Sequence, residues 1–353
     1  MDSLSQIVLG GAVGEAILGK KVGNKAVLWG ALAGTIPDLD VIPGHFMETI
    51  TRIEFHRSMT HSILFAIILS PLLAKLAHRI HQKTTAHYME WVQLFFWGLF
   101  THALLDCLTT WGTQLFWPFS DIRIAFNTVS VVDPVYTVPF LIFLIITMTK
   151  QPGSRIRSRM NTIGLTVSTS YLLLTFVNQS IMQNRFESQL NNQGIHYSRI
   201  EVMPTILNNV LWRAIAETQD GYFIGHASFF DKSHPIDFSF HLRHAELLNK
   251  LPDDDRIARL KKITNNYFIV RENEGTITLA DLRFGQMAGW DSPQAPFIFQ
   301  YEFQISQDKK LHISQPRPMM SYENGDQFIS SLWRRIKGIS FSDRSKSAPN
   351  VGG

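Results

Sequence analysis

Residues 91–108 read Trp-Val-Gln-Leu-Phe-Phe-Trp-Gly-Leu-Phe-Thr-His-Ala-Leu-Leu-Asp-Cys-Leu, with Asp106 the one charged side chain among them. As a helix they would be about 27 Å long, close to the roughly 30 Å of a bilayer's hydrocarbon. Working outward, residues 84–148 hold five charged side chains: Glu90, Asp106, Asp121, Arg123 and Asp133. Segment 61–77 is apolar and is followed by His78, Arg79, His81 and Lys83. Segment 134–148 stops just short of Lys150, and segment 163–182 is long enough to span. Segments 4–18 and 26–36 are shorter and rich in Gly and Ala. They fit short spans, tilted helices packed through small residues, or re-entrant pieces. A secretory leader is a poor reading of the first, because its start carries Asp2 and neither Lys nor Arg.

The whole chain of 353 residues is 45% hydrophobic, 12% aromatic and 18% charged. Its mean hydropathy of +0.01 matches an ordinary soluble protein, but that mean sums an apolar first half and a charged remainder. A single uniform globular domain is therefore excluded, and so is disorder, which needs low hydrophobicity. The lone Cys107 excludes an internal disulfide and a thiolate metal cluster. Any metal must be held by His and carboxylates. The net charge of +4 is accounted for by basic loops and the tail, and calls for no nucleic acid.

Loop charges give an orientation. Lys20, Lys21 and Lys25 follow the first segment, Arg79 and Lys83 the third, and Lys150, Arg155, Arg157 and Arg159 the fifth. The positive-inside rule makes these connections cytoplasmic. Six alternating crossings then put the N-terminus, residues 37–60, residues 109–133 and everything after Met182 outside.

The expected architecture is an α-helical multi-pass membrane domain of five or six helices over 1–182, followed by a soluble extracytoplasmic α+β domain over 183–339. Runs 222–230, 267–271, 276–282 and 297–305 read as strands separated by Gly, Asn, Asp and Pro. Residues 245–262 read as helical with a turn at 252–255. The Ser-rich tail, 340–353, reads as disordered.

Ionisable residues near apolar segments are costly and therefore suspects for function. Pro37-Asp38-Leu39-Asp40 puts two carboxylates beside a turn-favouring proline. His56-Arg57-Ser58-Met59-Thr60-His61-Ser62 follows, then His102 and Asp106, which share one helical face at i and i+4. His56 and His61, five apart, suit a loop before a helix starting near Thr60, capped by Ser58 or Thr60. On the topology above Asp38, Asp40, His56, His61, His102 and Asp106 all fall on one side of the membrane, with Asp2 starting from that side. That is the composition of a hard or borderline divalent-metal site, for one or two ions, zinc being the natural choice. Such a site, left a ligand short, lowers the pKa of bound water and makes a nucleophile of it. Arg57 is either a phosphate or carboxylate clamp or the partner of an Asp. His45, His78, His81 and His87 read as interfacial or capping residues, the 117–119 Trp-Pro-Phe run as an aromatic belt, and Glu15 as lying near the inner end, away from the cluster.

The ordered series Asp38 and Asp40, His56-Arg57 with Thr60-His61-Ser62, His102 with Leu105-Asp106 and Gly112, and Leu115-Phe116-Trp117-Pro118 resembles the bacterial inner-membrane metal-dependent hydrolase family, which includes a LexA-regulated membrane hydrolase. The motifs cover about residues 1–150. Pro204-Thr205, Asn208 and Trp212-Arg213 resemble an extended subgroup with a soluble C-terminal domain. The resemblance implies a bacterial inner-membrane location and phosphoester chemistry, on the analogy of helical zinc phospholipase C and its nuclease relatives, with a lipid headgroup among the candidate substrates. Asp38, Asp40, His56, His61, His102 and Asp106 carry over as metal ligands or catalytic carboxylates. Many members have a His where this chain has Gln6, and the usual Gly is Ser58 here. A metal-activated water attacking a phosphoester or ester, with Asp38 or Asp40 as base or ligand and Arg57 steadying negative charge, is the expectation. An ion or metal transporter or sensor, or a membrane anchor with a partner-binding C-terminal domain, are the other readings.

Overall fold

The computed structural model describes residues 1–231, 235–306, 308, 310–316 and 325–339; the expected disordered tail lies outside them. The chain separates into two compact units, residues 1–178 with 206–209, and residues 179–205 with 210 onward.

The first unit is helical. α1 (Ser3–Val22) and α2 (Asn24–Ala33) form a hairpin at Gly23, which adopts a left-handed φ of 62°. The two helices approach so closely that a Cβ at Gly10 would overlap the Gly30 carbonyl, and one at Gly14 the Ala26 carbonyl. A 3-10 turn (Ile36–Asp40) leads to the short helices α3 (Val41–Gly44) and α4 (Thr49–Phe55). After a second 3-10 turn (Met59–His61) come α5 (Ile63–Ile80), α6 (Tyr88–Cys107), α7 (Pro134–Thr149) and α8 (Arg155–Asn192). One core joins Val8 and Ala12 to Val27, Leu105, Tyr136 and Phe140; another joins Leu18 and Ala33 to Ala74, Trp91 and Phe95. Outward faces are apolar as well, with Ile68 and Leu72 on α5 and Ile142 and Ile145 on α7 exposed. A helix that is hydrophobic all round belongs in lipid or in a deep core.

Among the described residues, three stretches are long and apolar enough to cross a membrane: Asn24–Gly44, Ile63–Ile80 and Arg155–Asn192. α7 is a shorter apolar helix of 16 residues. Six crossings were expected. α1 and α6 have 20 residues each, but their runs are diluted by the buried polar residues Gln6 and Glu15, and His102 and Asp106. The expected segment 26–36 ends its helix at Ala33, because Pro37 follows and the chain turns into the 3-10 segment. α5 starts later than Thr60: its cap is Ser62, whose hydroxyl accepts from the Phe65 amide at 3.0 Å.

The expected division at 182/183 falls inside α8, a continuous helix of 38 residues. The second unit begins within that helix and adds two four-stranded antiparallel meanders. β1 (Arg199–Pro204), β2 (Leu211–Glu217), β3 (Gly221–Ser228) and β4 (Phe238–Leu242) form the first. α9 (Asp255–Ile263) precedes β5 (Phe268–Asn273), β6 (Thr276–Gln286), β7 (Phe297–Ile305) and β8 (Leu311–Ser314), and α10 (Gly325–Ile336) ends the described chain. Residues 245–262 divide at the expected turn, into a 3-10 turn (Ala245–Lys250) and α9, parted at Pro252. Met203, Ile215 and Ile224 pack against Ile269, Leu282 and Phe297 between the sheets. The other face of the first sheet, Trp212 and Ala214, rests on Met182 and Phe186 of α8.

Candidate metal centre

Two 3-10 turns and one helix end assemble the site. Pro37 opens the 3-10 turn that carries Asp38 and Asp40. The turn before α5 carries His61. The last turns of α6 carry His102 and Asp106 on one face. Asp38, His61, His102 and Asp106 each offer a ligand atom, all within 4.8 Å of one another, a group that could hold a metal ion.

The separations are specific. His61 Nε2 lies 3.2 Å from His102 Nε2, 3.2 Å from Asp106 Oδ2 and 3.4 Å from Asp38 Oδ1. His102 Nε2 lies 3.4 Å from Asp106 Oδ2 and 3.6 Å from Asp38 Oδ1. A tetrahedron of ligands around zinc, with bonds of about 2.0–2.1 Å, has edges of about 3.3–3.4 Å. Asp106 Oδ2 is buried and has no hydrogen-bond partner, while Oδ1 of the same carboxylate pairs with the Met1 ammonium and the Arg57 guanidinium. His61, His102 and Asp106 are fully buried, while the Asp38 side chain is 21% exposed.

The hydrogen bonds around the four fix which ring nitrogens face inward. The His102 Nδ1–H donates to the Gly34 carbonyl at 2.7 Å, which turns Nε2 toward the cluster. Thr60 Oγ1 donates to Asp40 Oδ2 at 3.0 Å and accepts from the His61 Nδ1–H at 3.0 Å, which turns His61 Nε2 inward too. Two ring nitrogens and two carboxylates thus converge, and such outer hydrogen bonds are what orient metal-binding imidazoles. The tight α1–α2 contact sets the position of Gly34 itself.

Asp40 and His56 stand apart from the four. The His56 Nδ1–H donates to Asp40 Oδ1 at 2.8 Å, and the Arg57 amide donates to Asp40 Oδ2 at 3.1 Å. Asp40 is therefore satisfied by protein and holds the 56–61 loop. The His56 ring is half-buried, edge-on to His61 at 6.0 Å and to Trp111 at 5.6 Å. Arg57 sits at a left-handed φ of 60°. Its guanidinium donates to Thr109 Oγ1 at 2.7 Å and lies 3.2 Å from Asp106 Oδ1. Of the two roles open to Arg57 in the sequence, the geometry matches partner of an Asp.

Gln6 Nε2 donates to Asp106 Oδ1 at 3.1 Å and to the His102 carbonyl at 3.2 Å, so it orients Asp106. Asp2 does not join the cluster; it caps α1 through the Ser5 amide at 3.1 Å. Glu15 lies elsewhere, in a buried ion pair with Arg157 at 2.6 Å. Of the four bland histidines, His87 caps α6 and His45 and His81 end α3 and α5, while His78 meets Tyr88 edge-on. Sequence reasoning missed Thr109 and Arg123. Arg123 donates to the carbonyls of Glu54 and His56, at 2.7 and 3.1 Å, and ties residues 109–133 to the loop. Its signal was present: it is the only cation in residues 84–148.

A helical unit with apolar, lipid-compatible faces and a buried His/Asp cluster defines a membrane protein with a candidate metal centre. The profile of the YdjM inner membrane protein family matches residues 1–183, and the chain belongs to that family. It is similar to the uncharacterised protein YfhP of Bacillus subtilis, with 26% identity over 239 residues, 64% of this chain and 68% of that protein. It is similar also to the inner membrane protein YbcI of Escherichia coli, with 32% identity over 109 residues, 30% of this chain and 61% of that protein. No solved structure matches the chain.

Proposed function

We propose that this inner membrane protein is a metal-dependent hydrolase of a phosphoester or ester, with its site at the extracytoplasmic face and zinc as the metal. The observation that carries the reading is the convergence of four ligand atoms, three of them on buried residues, with five separations of 3.2–3.6 Å that suit a tetrahedral ion. When bound, a divalent metal polarises a phosphoryl or carbonyl oxygen and acidifies water. Asp38, the exposed member, marks where substrate approaches. His56 holds its Nδ1 proton against Asp40, so its Nε2 is free to accept a proton beside the cluster. Arg57 and Gln6 keep Asp106 aimed inward. A lipid headgroup suits the surroundings, because Val41, Ile42, Phe46, Phe119 and Ile122 are exposed apolar residues on the segments flanking the site.

Metal analysis of purified wild type beside His61→Ala and His102→Ala tests the site. The wild type should carry metal and the variants should lose it; unchanged content in either variant rejects the centre. Stoichiometric metal without hydrolysis of any phosphoester, ester or phospholipid in a broad panel rejects the hydrolase reading while leaving the centre intact.

A further inference from the structure

The second unit carries an apolar surface that nothing in the metal centre explains. α10 turns Leu332 and Ile336 inward and leaves Ile329 and Trp333 exposed, one helical turn apart. Phe230, 64% exposed, and Ile339 extend the same surface. The extension is fixed by contacts: the Ser228 hydroxyl donates to the Ile336 carbonyl, and Arg335 donates to the His226 carbonyl at 2.8 Å and pairs with Asp231. A Cβ at Gly338 would overlap the Phe230 carbonyl, so the 228–231 turn and the end of α10 lie against each other. Exposed Arg334 and Lys337 border the surface, and the Lys337 ammonium lies 5.2 Å over the Trp333 ring.

We propose that this face of α10, with Phe230, lies on the anionic surface of the membrane that the chain is anchored in. Trp, Ile and Phe on one side with Lys and Arg at the edge is the composition of a helix that rests in the headgroup layer. Its basic edge complements anionic lipid: Arg334 and Lys337 are exposed at the end of α10, while Arg335 is buried against Asp231 and Asp326 is the only acidic residue of the helix. The same edge disfavours a second copy as occupant, because a two-fold contact would set Arg334 and Lys337 of one chain against their own kind. Anchoring in the bilayer also keeps the surface at high effective concentration, so weak contact suffices.

The test places the photocrosslinker benzoylphenylalanine at position 333 of the full chain, in vesicles of phosphatidylglycerol and phosphatidylcholine. Position 68 on the exposed face of α5 serves as the lipid-facing control. Mass spectrometry should find phospholipid adducts at 333. Their yield should fall about fivefold or more with Arg334→Glu/Lys337→Glu, or when phosphatidylglycerol is omitted. Adducts to a second copy, adducts to residues 340–353 of the same chain, lipid adducts at 68 alone, or a yield at 333 indifferent to charge would each overturn the proposal.

Discussion

The Nε2 atoms of His61 and His102 face each other at 3.2 Å, both turned toward the two carboxylates of the cluster. The proton of each ring sits on Nδ1, given to the Gly34 carbonyl by His102 and to Thr60 by His61. Asp40 stands one bond further out, holding Thr60 and His56. Removing its charge should loosen the outer layer without removing a ligand. Asp40→Asn should weaken metal affinity about 10–100-fold, read by chelator competition, whereas Asp106→Asn should abolish stoichiometric binding. Equal loss in both would make Asp40 a ligand.

Arg57 and Asp106 form a buried charge pair in which Arg57 is nearly fully enclosed and Asp106 wholly so. Removing Arg57 takes the guanidinium from Asp106, which keeps the Met1 ammonium and the Gln6 amide. Arg57→Met should destabilise the metal-free protein, by less than the about 3–5 kcal/mol of a buried charge left wholly unpaired. Adding Asp106→Asn should recover part of the loss, so the double variant should be more stable than Arg57→Met alone. Strict additivity in that cycle would show that the two do not interact.

The α1–α2 contact transmits to the site through Gly34. A methyl group at Gly10 meets the Gly30 carbonyl and the Gly34 backbone, whereas one at Gly11 meets the side chains of Val27 and Leu144, which can shift. Gly10→Ala should therefore cost about 1–3 kcal/mol and lower metal affinity by displacing the acceptor of His102. Gly11→Ala should do less of both. Thermal unfolding with and without added zinc separates the two effects, and identical behaviour of the two variants would sink the link.

The residue types and their order made Asp38, His61, His102 and Asp106 visible in the sequence, because carboxylates and imidazoles are expensive beside apolar helices. Their separation from Asp40 and His56 was not visible. It depends on the left-handed turn at Arg57, a residue whose chemistry gives no hint of positive φ. Gln6 stood out only as a poor ligand, and its role as a donor to Asp106 needs the helix-to-helix register. In the second unit, the alternating run of β7 was legible at its observed bounds, Phe297–Ile305. β2 was missed because both of its faces are covered, by the second sheet and by α8, so no period-two pattern survives. α8 hid its continuity for the opposite reason: its apolar middle passes into a polar end that packs on a sheet.

The sheets supply a pH dependence separate from the metal centre. Burial pushes His241 down to about 4, with the Arg271 guanidinium adding to the effect. Burial, with Arg213 and Arg335 nearby, drives His226 well below the usual range. Both rings are neutral in the folded state, and their ordinary value is near 6.5. The unfolded chain therefore binds more protons below that pH, so stability is complete above 6.5 and is lost as pH falls toward 4. Hydrogen–deuterium exchange corrected for its intrinsic pH dependence should show β3 and β4 losing protection between pH 7 and pH 4.5. His241→Phe should shrink that loss, and a variant that loses protection as steeply as wild type would place the acid sensitivity elsewhere.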